Sequence, residues 1–594
     1  SRRNHPSPAD LWNELYFGIA TCNLLLQKAP LIASEQDRNS ALGEAYFLRG
    51  YNYYRLFCQY ERCPLQLEPI DVSAGVPRNF KLSSGEDVLN QVIDDLQKAY
   101  DLLRTDDWRG AGTWTKYTAA HFLAKALLYR QSERCTWKSN YPAKTDLDRA
   151  IRLCDEVIDA RGLEKDYNNL YSNWTGVDCN IEKSKEILMS ALHNDASTTV
   201  GRYGNRTYNY FSSQYNTYSG GYVPRGQYIG DMEFQRCRPT EYTYAVFDNV
   251  NDSRMWKTFK TVYGICNNVA TPDYVKAENA PTFGDQGVLF LLNKKDDTRF
   301  RKDEFGRAAI KHTFVNPETG KWVPNVAPVY AEGQYVMNTY GTSAANRSNM
   351  FCGINKTADG SRTGEKGDAH RDVTMARVGE TYLVKAECQV RNGDDAGALA
   401  TINLLRKRAE WKAGEDREYY VDGTIAFKSN STASGNCAKG NKDANGAKLT
   451  NQQAFEYSFI QKNSYVLSTG VERPVESESW NASSLQISSW NNLPAEDQAV
   501  LNGMGLSVNT LEGKVNFILN ERTRELLGEW NRWDELSRTK TLYKRAKLFN
   551  PETLYIQEHH NLRPIPQSFL DGLTNDNGEP LTDQEKKDMQ NPGY

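Results

Sequence analysis

Through the first 160 residues, apolar side chains recur three and four positions apart. Val88, Val92, Leu96, Ala99 and Leu103 make one stripe, and Leu147, Ile151, Cys154 and Ile158 make another. That is the spacing of one face of an amphipathic helix, and the pattern also predicts helices over 10–29, 37–60 and 115–131. Pro64, Pro69, Gly75, Pro77 and the run 106–112 interrupt it, so the helices should pack as hairpins. A second helical block begins near Asp372, with Met375, Val378, Tyr382 and Ala386 on one stripe, a break at Asn392 and Gly393, then Ala398, Ile402, Leu405 and Ala409. The small residues Ala386, Gly393 and Ala398 resemble the close-packing positions of a tetratricopeptide hairpin, without its constant period of about 34 residues.

Between the helical blocks the pattern changes. Residues 162–371 are rich in Asn, Gly and Tyr, with only short apolar runs such as 186–192 and 287–292, and read as a loop-rich subdomain mounted on the helices. Residues 412–511 hold low-complexity stretches such as SNSTASGNCAKGNKDANGAK and read in part as a surface insertion. Helical character returns at Val515, Leu519, Arg522 and Leu526, and a Pro-containing tail should wrap the body. The expected units are 1–161, 162–371, 372–411, 412–511 and 512–594. The expected fold is mainly α, an irregular scaffold of tetratricopeptide-like helical pairs carrying a large loop-rich subdomain.

With 72 Lys plus Arg against 75 Asp plus Glu, the formal charge of -3 disfavours a nucleic-acid partner held by counterion release. A mean hydropathy of -0.69 and the lack of any apolar window of about 20 residues argue against a membrane span. The first ten residues carry no apolar signal core, so the expectation is either an intracellular protein or a targeting segment upstream. The 11 cysteines form no CxxC, which argues against a zinc framework; Cys58 and Cys63 are spaced to close a small accessory loop.

The chain lacks GxxxxGK[ST], HExxH and GxSxG. A glycosidase needs only two carboxylates, and Glu521 with Glu525 would share a helix face. Arg522, Arg524, Arg532 and Arg538 interleave with Glu521, Glu525, Glu529 and Asp534, so the spacing favours ion pairs over catalysis. Adjacent His559 and His560 have no metal-ligand spacing and read as surface loop. Aromatic loops are the stronger candidates, because sugar rings stack on Trp and Tyr while Asn, Asp and Arg bond their hydroxyls. Trp108 and Arg109, in DDWRGAG between two expected helices, have little helical reason to be buried, whereas Trp114 starts a helix and reads as core. The tyrosine-rich run 202–228, including Tyr222 and Tyr228, is a second candidate surface.

Four blocks, in order, resemble the SusD/RagB family of outer-membrane nutrient-binding lipoproteins. They are EAYFLRGYNYYRLFCQYERCPL (44–65), TWTKYTAAHFLAKALLY (113–129), VTMARVGETYLVKAECQVRNGDDAGALATINLLRKRA (373–409) and ILNERTRELLGEWNRWDELSR (518–538), followed by LRPIP and the terminal QNPGY. The resemblance implies four irregular tetratricopeptide-like pairs with a variable loop-rich half that makes the ligand site. It also implies capture of oligosaccharides, or in some members oligopeptides, as a hinged lid over a SusC-like TonB-dependent transporter. It implies no catalysis, no cofactor, no metal and no nucleic acid, and a lipid anchor on a cysteine upstream of Ser1 at the outer face of the outer membrane. By position it adds Asp71 and Arg78, in the loop after Leu65, to Trp108; Tyr335, Tyr340 and Phe351, ahead of the 373–409 block, are further candidates. The long stretch between the last two helical blocks departs from the family pattern. The remaining alternatives are a peptide ligand on the same scaffold and a surface glycosidase.

Overall fold

The computed structural model describes residues 8–73, 75–108, 110, 112–171, 174–175, 178–179, 183–193, 206–218, 220–224, 237–303, 313–337, 350–359, 371–410, 412, 442–443, 445–450, 453, 457, 462–471 and 485–594. Five long helices open the chain: α1 (Pro8–Lys28), α2 (Glu35–Tyr60), α3 (Gly85–Leu102), α4 (Lys116–Arg130) and α5 (Ala143–Arg161). Their starts are set by side chains that satisfy the free amides of a first turn. Ser34 accepts from the Asp37 amide, Ser84 from the Asp87 amide, and Thr115 and Thr118 cap reciprocally. Helices α2 and α3 run antiparallel, with Gly43 against Leu103, Gly50 against Leu96 and Gly85 against Glu61. A Cβ at Gly50 would meet the Asp95 Cβ at 3.1 Å, so this glycine permits the close approach. Beside it, buried Arg49 grips Asp95 through two bonds of 2.8 Å.

The later helices are α6 (Val378–Arg391), α7 (Asp395–Ala409), α8 (Leu511–Leu526), α9 (Arg532–Arg538) and α10 (Leu542–Phe549). Helices α6 and α7 form the second hairpin, turned at left-handed Gly393 and restarted by Asp394 accepting from the Gly397 amide. One apolar core joins both blocks, from Trp12 through Phe47, Leu96, Leu123, Leu383 and Leu519 to Leu573. The fold is thus the expected mainly α scaffold of helical pairs.

The main strands are β1 (Ile187–Ala191), β2 (Val262–Gly264), β3 (Gln286–Leu291), β4 (Asn325–Pro328) and β5 (Val373–Arg377). Strand β5 corrects the expected start of the second helical block. It pairs antiparallel with β1, Ala191 opposite Val373 and Ile187 opposite Arg377, and the helix begins only where the Val378 amide donates to the Glu186 carbonyl. Met375 therefore leaves the helical stripe: a single apolar match within Val-Thr-Met-Ala-Arg cannot separate a strand end from a helix start.

Strands β2, β3 and β4 form a sheet, antiparallel then parallel, under a second aromatic core that includes Phe211, Tyr244, Trp256, Phe259, Phe290 and Phe351. Segments of 412–511 are built into both cores. Tyr465 lies in the second, with the Ser464 hydroxyl donating to the Phe290 carbonyl at 2.6 Å, and Ile487 lies in the first. The tail wraps the first hairpins as expected: the Arg563 amide donates to the Gln59 carbonyl and Asn591 to that of Tyr60. Cys58 and Cys63 are separate buried thiols, so the loop closure that their spacing allows does not form. Among the described residues no helix is long and apolar enough to cross a membrane, and no cluster suits a metal ion.

Candidate functional site

The carboxylates singled out for catalysis lie at the junction of the two cores. Arg254 pairs with Glu521 at 2.8 Å and Glu525 at 3.1 Å; Arg377 reaches Glu525 at 2.6 Å and Glu186 at 2.8 Å; Arg408 joins Glu186 to Glu525. Arg406 and Arg524 close on Glu521. Burial alone would raise the Glu525 pKa, but Arg408, Arg377 and Arg254 outweigh it and hold the carboxyl well below the usual range. Glu521 is depressed likewise against its burial by Arg524, Arg254 and Arg406. A fully enclosed carboxylate held towards its ionised form by three guanidiniums has neither the access nor the raised pKa of a general acid, and the cluster ties the lobes together.

Open space lies instead on the side of the loop-rich lobe. A cavity of about 1150 Å³ is walled by Arg238–Val250, Lys294–Asp296, Tyr330, Tyr335, the helix Ala495–Gly503 and Leu548–Glu552. Each of its three cations meets a carboxylate: Lys295 with Glu241 at 2.6 Å, Lys294 with Glu496 at 3.2 Å, and Arg238 with Glu552. Tyr330 and Tyr335 meet edge to face, their centroids 6.3 Å apart. Such a wall offers ring faces beside planar, mutually neutralised hydrogen-bonding groups.

A second cavity of about 920 Å³ shares Thr240, Tyr242, Phe549, Asn550 and Glu552 with the first. Tyr242 stacks on Phe549 at 4.8 Å between them. The turn after α8 builds the outer wall. Gly528 has φ +82, and a Cβ there would lie 2.2 Å from Ile354 Cδ1; Trp530 follows in the left-handed region, φ +64, against Phe211 at 5.4 Å. Its ring stays 43% exposed, beside Trp533, Leu554 and Tyr555. The polar corner is the Tyr242 hydroxyl, flanked by Arg532 and Arg545. Burial would raise the Tyr242 phenol, but the two guanidiniums outweigh it and lower it.

Of the residues predicted from sequence, Tyr335 lines the first cavity. Trp108 is 42% exposed at the end of α3, its ring under the Arg104 guanidinium at 5.3 Å, on a loop where Asp107 pairs with Arg161. Asp71 is exposed and accepts from the Ser73 amide; exposed Arg78 lends its carbonyl to the Thr574 amide. Phe351 is fully buried in the second core, and Tyr222 is buried there with its hydroxyl on the Ala270 carbonyl, so neither leaves a face for stacking. Arg109, Tyr228 and Tyr340 lie outside the described residues. Trp114 packs on Phe47 as expected, and His559 packs on Tyr594. The cavities' Tyr242, Phe549, Trp530, Arg532 and Arg545 were not singled out as ligand contacts; the available signal was the WNRW cluster just after Gly528.

Two family models match the chain: the SusD family over residues 155–443, and one described as starch-binding associating with outer membrane over 3–128. No curated protein matches it. A solved SusD superfamily protein from Bacteroides fragilis NCTC 9343 is 16% identical with a TM-score of 0.51, covering 98% of this chain and 85% of its own. NanU of B. fragilis is 15% identical, TM-score 0.50, covering 98% of this chain and 83% of its own. A SusD superfamily protein from Parabacteroides distasonis ATCC 8503 is 15% identical, TM-score 0.50, covering 99% and 86%. Identities this low speak to the shared helical-pair fold.

Proposed function

Because this chain belongs to the SusD/RagB family, we propose that it is a cell-surface glycan-binding protein that captures oligosaccharide and passes it to a TonB-dependent outer-membrane transporter, over which it acts as a lid. A lipid anchor would hold it at the outer face of the outer membrane. The observation that carries the reading is the pair of adjoining cavities, where Tyr335, Tyr242, Phe549 and Trp530 supply ring faces beside charged and hydrogen-bonding groups. Aromatic faces with planar hydrogen-bonding groups suit the alternating C–H and hydroxyl surfaces of a sugar. The function is binding without turnover: the one carboxylate pair suggested by the sequence is sealed among arginines. Trp108, exposed on the loop after α3, and Asp71 and Arg78, exposed on the loop before it, remain further proposed contacts, as does Arg109 by its place in the sequence.

The test is calorimetric titration of the purified chain with separate oligosaccharide and oligopeptide panels, with the mixtures assayed for new reducing ends. Saturable binding of saccharides without cleavage supports the proposal. Binding confined to peptides replaces its ligand class, and cleavage overturns it.

A further inference from the structure

The two adjoining cavities differ in how their charges are met. In the first, Lys294, Lys295 and Arg238 each face a carboxylate. In the second, three acidic residues and three arginines line the wall. Glu529 is held by Arg377 and Lys356, Glu535 by Arg538, Glu552 by Arg238, and Arg522 pairs with Glu380. Arg532 and Arg545 are left with no ion pair among the described residues. Arg545, buried, spends its donors on neutral acceptors: Nε on the Asn516 side chain at 3.0 Å, Nη2 on the Asn516 carbonyl at 2.9 Å, and both Nη atoms on Asn520 Oδ1 at 3.1 Å. Arg532 gives Nη1 to the Leu519 carbonyl at 2.7 Å and has only the Tyr242 oxygen, 3.5 Å away, for Nη2. The nearest carboxylate in this relay, Asp497, is reached only through Asn520 and is already engaged by Arg524.

Two partly desolvated guanidiniums with no counter-charge are the costly form of a buried cation, and both face a cavity whose carboxylates, Glu529, Glu535 and Glu552, are each held by another cation. Burial brings Arg532 down to about 10 despite the opposing pull of Tyr242. An anion entering the cavity would complete the pairing by charge-assisted hydrogen bonds, while a ring attached to it would lie on Trp530. We infer that the second cavity takes the acidic unit of an anionic oligosaccharide, its carboxylate or sulfate oxygens accepting from Arg532 beside the Tyr242 hydroxyl. The inference rests on the glycan-capture reading and names the charge class of its ligand.

The experiment titrates the full chain with trigalacturonic acid, its methyl ester, neutral galactotriose and sulfated galactotriose, at about 20 mM and about 200 mM salt, where screening lengths differ severalfold. The acid is expected to bind roughly tenfold tighter than its ester at low salt, with the advantage shrinking at high salt. Arg532→Gln should bring the acid down to the affinity of the ester, and Arg532→Lys should retain part of the difference. Carboxylate or sulfate as the preferred anion is decided by the tighter of the two acidic probes. Equal binding of acid and ester overturns the inference and leaves glycan capture standing. Failure of every saccharide, with oligopeptides binding, overturns both. Should Arg532→Gln not fold, the unmodified chain still decides: an acid advantage insensitive to salt overturns the inference.

Discussion

Glu525 and Arg532 are seven residues apart in sequence, yet their surroundings are opposite. Glu525 ends a helix inside a sealed cluster where Arg254, Arg377 and Arg408 converge on it. Arg532 begins the next helix at the edge of open space, and its charge meets neutral oxygens only. A carboxylate enclosed by three guanidiniums has its ligands already and contributes to holding the fold. A guanidinium left unmatched beside a cavity is available to something from outside. Residue type alone does not separate the two cases; the partner that tertiary structure supplies does.

The contrast can be broken most forcefully at its structural end. Glu525→Gln, which takes from three buried arginines the carboxylate they share and leaves Glu186 and Glu521 to hold them, is expected to cost about 3 kcal/mol, read as a lower urea midpoint without any change in saccharide cleavage; an equally stable variant would refute the structural role. The pH dependence sharpens the same point. Because the folded-state pKa of Glu525 is depressed, its contribution is fully present above the unfolded value of about 4.3 and fades as pH falls through the folded value. The stability gap between the unmodified chain and Glu525→Gln should stay constant from about pH 7 to 5 and narrow only below about pH 4; a gap that widened on acidification would reverse the sign. At the ligand end, Trp530→Ala should weaken saccharide binding by about 1 kcal/mol while shifting the urea midpoint much less, because the ring is 43% exposed. Trp108→Ala is the smallest change, under about 0.5 kcal/mol in stability, and unchanged titrations would remove its loop from the ligand surface.

The helical scaffold was legible because its information is local. Stripes such as Val88 to Leu103 name a buried face within a few turns. Strand β5 was not, because its partner β1 lies nearly two hundred residues upstream and no local spacing encodes the pairing. The ion-pair ladder was half legible: Arg524 does meet Glu521 within α8, but Arg532 escapes it. The chain leaves α8 at Leu526 and turns through left-handed Gly528 and Trp530. The cavities were least legible, since Arg238, Lys294, Tyr335, Glu496 and Phe549 come from five distant segments. Tyrosine density in the sequence pointed to Tyr222, and tertiary packing buried it.

The sealed cluster also has a mechanical consequence. Arg254 comes from the loop-rich lobe, Arg377 from the end of β5, Arg408 from α7, and Glu521 and Glu525 from α8, all buried and interlocked. Sliding one lobe over the other would pull apart several buried opposite charges at once, at several kcal/mol for each unmatched ion. The two halves are therefore bolted into one stiff body. A large swing would then carry that body as a unit, the aromatic cleft moving with the helices that it is locked to.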